Sequence, residues 1–115
     1  MKRAPFIDFF FVLLFVVIGR KNHQHGESVA GVISTLWPFA LGLAVGWLVL
    51  WRRGRTGASV ADAGFLAGMT TLVGMVARVV AGQGTAVAFI IVTLLFLNLF
   101  FTGWRMLSRR VTRSS

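Results

Sequence analysis

The chain has 115 residues, 57% of them hydrophobic and only 13% charged, with a net charge of +9. A soluble domain of this length carries charge on about a quarter of its residues, so this composition argues against a water-soluble fold. With no cysteine, disulfides and thiolate metal centres are excluded.

The apolar residues fall in four blocks, each near the roughly 20 residues that a helix needs to cross about 30 Å of hydrocarbon. Backbone groups in lipid must be satisfied within the chain, which favours helices. The chain lacks the alternation that a membrane barrel shows. The reading is therefore an all-α integral membrane protein, a single domain over 1–115, with four transmembrane helices in two hairpins.

The first segment is placed at 5–19, within "MKRAPFIDFFFVLLFVVIG". A basic start and an apolar core imitate a signal peptide. No A-x-A-like cleavage site follows, however, and Arg20, Lys21 and Asn22 come next, so a retained helix is expected. Asp8 lies about 5 Å along the axis from Pro5. A carboxylate within the bilayer costs about 2.5–3.5 kcal/mol at the centre and less near an end, so it should be paired. Arg105 is the expected partner, with Arg52 or Arg53 next in line. A structural clamp and a proton or ion relay are both open.

The connection "IGRKNHQHGE" follows. His23, His25 and Glu27 alternate, so an extended strand would place them on one face. Zinc requires three or four fixed ligands, and no fourth is evident, so no metal is expected. A histidine there titrates near physiological pH, which keeps pH sensing open. Arg20 and Arg78 each follow an apolar run. Two guanidiniums held together attract a carboxylate, a phosphate or a lipid head group. A shared polar site with His23 and Glu27 is one reading; independent snorkelling to the interface is the other.

The second segment is placed at 32–51. Pro38 either frees a backbone bond near the outer end of this segment or, after Ser34, Thr35 and Trp37, marks where the helix begins. Gly42-x-x-x-Gly46 in this segment, and Gly64-x-x-x-Gly68 in the third at 60–80, form small-residue stripes that let helices approach closely. Asp62 opens the third segment, where a carboxylate suits the positive end of the helix dipole. The fourth segment, at 85–107, carries Asn98 near its middle. In lipid that side chain is expected to hydrogen-bond across to another helix.

Nine basic residues (Lys2, Arg3, Arg52, Arg53, Arg55, Arg105, Arg109, Arg110, Arg113) stand on one side of these spans, and Arg20, Lys21 and Arg78 on the other. The positive-inside rule places both termini and the "RRGRTGAS" connection in the cytoplasm. Topology accounts for the basic balance, so the expected partners are membrane lipids and not nucleic acid. Trp37, Trp47, Trp51 and Trp104 read as interfacial anchors. "GWLVLWRR" and "GWRMLSRR" close the second and fourth segments, which suggests that the two hairpins repeat about an axis along the membrane normal.

Taken in order, these residues resemble DUF3054, a family of small bacterial and archaeal membrane proteins. The likeness rests on Asp8, on Ile18-Gly19-Arg20 with His23, on Trp37-Pro38-Phe39 and Gly46-Trp47, on Gly74, Arg78, Gly82, Gly84-Thr85-Ala86 and Phe89, and on Gly103-Trp104-Arg105. It spans Asp8 to Arg105. The resemblance implies a four-helix integral membrane protein and no established activity.

The chain carries no phosphate loop, nucleophile elbow or H-E-x-x-H motif, so neither an enzyme nor a cofactor is expected. The first functional expectation is a structural or accessory subunit in the cell membrane, docked on a larger complex or on itself. The alternative is a small transporter or channel acting as a homo-oligomer, which the shallow position of Asp8 weakens.

Overall fold

The structure, a computed structural model, describes residues 3–22, 29–83 and 87–114, without the side chains of 20–22, 29 and 109–114. The described residues form four α-helices: α1 (Ala4–Asn22), α2 (Val29–Arg52), α3 (Val60–Val80) and α4 (Val87–Ser114). Three of them, over Ala30–Arg52, Val60–Val80 and Val87–Ser108, are long and apolar enough to cross a membrane. The apolar run of α1 is shorter, Ala4–Gly19. That is about 24 Å at 1.5 Å per residue, against about 30 Å of hydrocarbon.

The third segment begins and ends where the sequence places it, α1 and α2 extend beyond their expected limits at both ends, and α4, described from Val87, runs past its expected C-terminal limit to Ser114. The start of α2 at Val29 corrects the reading of Pro38 as the helix start: it is interior and fully buried. Proline removes the N–H that would bond the carbonyl four residues back, here that of Ser34. The Ser34 carbonyl instead accepts from Gln83 Nε2 at 3.2 Å, so the helix continues with that acceptor satisfied from outside.

α1 packs on α2 and α4, and α3 packs on the same two, so α1 and α3 stand on one diagonal of the bundle. The α2–α3 seam is the most extensive and the α1–α4 seam the least. Apolar side chains fill the interior and also cover the outside: Phe39, Leu66 and Phe101 are buried, Phe6, Leu72, Val80, Leu95 and Leu99 are exposed, and Asp8 and Arg105 are fully buried. Outward apolar side chains suit lipid, and inward charges must then be satisfied by one another.

A Cβ on Gly42 would lie 2.7 Å from the carbonyl oxygen of Thr70 and 2.8 Å from its Cα. Backbone meets backbone there, and only a missing side chain permits it. At Gly46 the added atom would press on Leu66 and Met69. The stripe expected on α3 is different. Gly68 has nothing within 4 Å of an added Cβ, and Gly64 has only Asn98 Oδ1 at 3.7 Å. The α3 residues that meet α2 include Leu66 and Thr70. Gly64 and Gly68 stand two positions from these, about 200° around the helix, and so miss the seam.

Both turns that bracket α3 are built alike. After α2, the Arg55 N–H bonds Leu50 O at 2.9 Å and the Gly54 N–H bonds Trp51 O at 3.0 Å, with Gly54 at φ +72°. After α3, the Gln83 N–H bonds Arg78 O at 2.7 Å and the Gly82 N–H bonds Val79 O at 3.1 Å. These are Schellman motifs, which satisfy carbonyls that a helix end leaves without partners.

Candidate functional site

The N-terminus of α1, the C-terminus of α2, the N-terminus of α3 and the C-terminus of α4 meet at one end of the bundle. Asp8 stands one turn into α1, facing inward. Arg105 reaches it from α4, with NH1 at 2.9 Å from Oδ1 and NH2 at 2.8 Å from Oδ2. Both side chains are 0% exposed. Two indoles complete the carboxylate: Trp104 Nε1 donates to Oδ1 at 2.8 Å and Trp47 Nε1 to Oδ2 at 3.0 Å. Each oxygen thus accepts two bonds.

The guanidinium uses four of its five N–H donors. Its Nε donates to the Gly57 carbonyl at 2.6 Å, and NH1 also reaches the Phe101 carbonyl at 3.0 Å. Its Cζ lies 4.5 Å from the centre of the Trp104 ring, within cation–π range. Removing two charges from water costs several kcal/mol per ion, and attraction offsets this only with good geometry and the remaining polar atoms satisfied. A bidentate pair with two indole donors meets that condition.

The α2–α3 turn is tied into the same network. Gly57 offers its carbonyl to Arg105 and its N–H to Asp62 Oδ2 at 3.1 Å. It adopts φ +79°, and an added Cβ would fall 2.2 Å from the Trp47 ring; both facts require glycine. Asp62 also pairs with Arg55 Nε through its other oxygen. Ser59 caps α3 by accepting the Asp62 N–H at 3.0 Å. Asp62 lies in the first turn of α3, as expected, and additionally links the turn to the buried pair.

At the opposite end Arg78 NH1 donates to Gln83 Oε1 at 2.9 Å, and the guanidinium lies 5.0 Å from the Phe89 ring centre. Gln83, which also donates to Ser34 O, thereby bridges α2 and α3. The Arg20 side chain and the residues His23, His25 and Glu27 lie outside the described residues, and with them the expected site shared with Arg78.

Asn98 was expected to bond across helices. Its Nδ2 instead donates to Leu94 O of its own helix at 3.0 Å. The preceding turn offers a carbonyl within reach of a short polar side chain, and the α3 surface opposite it is Gly64, which has no side chain to answer.

The structure brings Asp8 and Arg105 together, and leaves Arg52 and Arg53 exposed. Sequence reasoning missed Trp47 and Trp104 as donors, having read all four tryptophans as interfacial. Trp37 and Trp51 are exposed in that manner, but Trp47 is buried. The repeated Gly-Trp, at the same end of the apolar segments as Asp8, was the available signal. Gly57 was missed because nothing in "GRTGAS" separates a glycine that meets a ring from one that only turns the chain.

Among the described residues no group of three His, Asp or Glu side chains is placed to hold a metal. No curated protein and no solved structure matches the chain. The model of a protein family of unknown function, DUF3054, matches residues 6–108. That match covers most of the chain, from α1 to the Arg105 end of α4, and the protein belongs to the DUF3054 family.

Proposed function

We propose that the protein is a structural or accessory subunit of the cell membrane, crossing it four times, with both termini and the α2–α3 turn in the cytoplasm. The observation that carries this reading is the saturation of Asp8. Both oxygens are taken, by Arg105 twice and by Trp47 and Trp104 once each. A coupling carboxylate must exchange its partner for an ion or proton during each cycle; this one is built into the fold by four donors. The charge balance of +9, gathered toward one end, supports the orientation. The short apolar run of α1 fits a span that begins at the interface beside Asp8, where local bilayer thinning or tilt of its neighbours accommodates it.

The test is reconstitution of the wild type and Asp8→Asn in liposomes, with ion and proton flux and unfolding measured on the same samples. The structural reading expects no flux in the wild type and a folding defect in the variant. Flux in the wild type that disappears in a stably folded Asp8→Asn protein would replace it with a transporter. Mass spectrometry after gentle detergent extraction then identifies whether the protein leaves the membrane with a discrete partner or with itself.

A further inference from the structure

The α2–α3 turn concentrates charge that the described part of the chain does not neutralise. Its Schellman motif places Arg52, Arg53 and Arg55 within four residues around Gly54, and all three are exposed. The acids of the described residues are Asp8 and Asp62. Asp8 is buried and committed to Arg105. Asp62 is 5% exposed and holds the Nε edge of Arg55, whose side chain remains 49% exposed. Arg52 and Arg53 therefore have no acidic partner among the described residues. Beside them Trp51 is exposed, an amphipathic ring that settles at head-group depth.

We propose that this turn binds the phosphate of an anionic phospholipid, with Arg52 and Arg53 meeting the head group and Arg55 oriented toward it by Asp62. The inference rests on the membrane reading above and adds a site to it. The chemistry is that of guanidinium and phosphate, which pair through parallel N–H bonds. The turn ends one apolar helix and begins another, so it lies where lipid phosphates lie. Diffuse attraction from a basic protein surface would spread over all the arginines at this end. A site predicts that Arg52 and Arg53 dominate over Arg3, which is exposed ahead of α1.

The experiment places the full chain in nanodiscs of phosphatidylcholine with a minor fraction of phosphatidylglycerol, then releases it for native mass spectrometry to count retained lipids. The wild type is expected to retain phosphatidylglycerol with a preference of about ten-fold or more, at about five-fold per arginine near an anionic surface. Arg52→Gln/Arg53→Gln should abolish that preference, and Arg3→Gln should keep it. An equal loss in Arg3→Gln, or an unchanged preference in the double variant, overturns the site in favour of diffuse charge. Displacement of the lipid by millimolar inorganic phosphate alone overturns the lipid as occupant. Failure of the wild type to enter phosphatidylcholine nanodiscs removes the membrane reading itself, and is distinguished from a folded, inserted protein that shows no lipid preference.

Discussion

Asp8 differs from a surface carboxylate in what its removal leaves behind. Asp8→Asn strands the buried Arg105 guanidinium, and breaking a buried pair from one side costs about 3–5 kcal/mol. The same applies to Arg105→Gln, which strands the carboxylate. The paired change Asp8→Asn/Arg105→Gln removes both charges, and its loss should be clearly smaller than the sum of the single losses. Unfolding titrations of the four proteins in detergent measure the coupling. Thr70 gives the opposite case. Its hydroxyl is buried without a hydrogen-bond partner among the described residues, so Thr70→Val keeps the shape and removes an unmet polar group. Unfolding of that variant should match or exceed the wild type in stability. The sequence identified Asp8 and Arg105 because a charge in an apolar run demands a partner and depth narrows the choice. It did not identify the indoles, since tryptophan near a membrane end is usually explained by the interface alone.

At the scale of elements, the α2–α3 seam is set by glycine on α2 and by backbone on α3. Gly42→Ala drives a methyl into the Thr70 backbone, and overpacking of that kind costs about 1–3 kcal/mol. Gly68→Ala meets nothing and gains helix propensity of up to about 1 kcal/mol. The two substitutions, identical in chemistry and both in small-x-x-x-small stripes, should shift the thermal midpoint in opposite directions. Both stripes were visible as letter spacing. Which one faces a neighbour depends on the rotation of each helix about its axis, which the spacing of two glycines does not fix. Gly57→Ala belongs to the turn: it opposes a φ of +79° and the Trp47 ring at once. It should destabilise by about 1–3 kcal/mol, from the strained φ alone, and should quench or shift Trp47 fluorescence relative to a Trp47→Phe background.

For the whole molecule, the proposed orientation makes a direct labelling prediction. The chain has no cysteine, so single-cysteine reporters need no background removal. Thr56→Cys in the α2–α3 turn should react with an impermeant maleimide only after the cells are opened, and Gln83→Cys should react in intact cells. The reverse pattern would invert the topology. Helix number and approximate limits were readable from apolar blocks because the bilayer imposes a length. How Pro38 is accommodated inside α2 was not readable, because the Ser34 carbonyl near it is met by Gln83 from beyond α3, a pairing that no local pattern announces.

The separation of Asp8 from its partners also orders assembly in time. A ribosome delivers α1 first, and Trp47 arrives with the next helix, but Trp104 and Arg105 come only with the last. Until then the carboxylate has no countercharge from α4, and the earlier helices hold an incomplete structure around it. A chain that ends before α4 therefore lacks three of the four donors that hold the Asp8 carboxylate, so the buried acid is matched only when the last helix arrives.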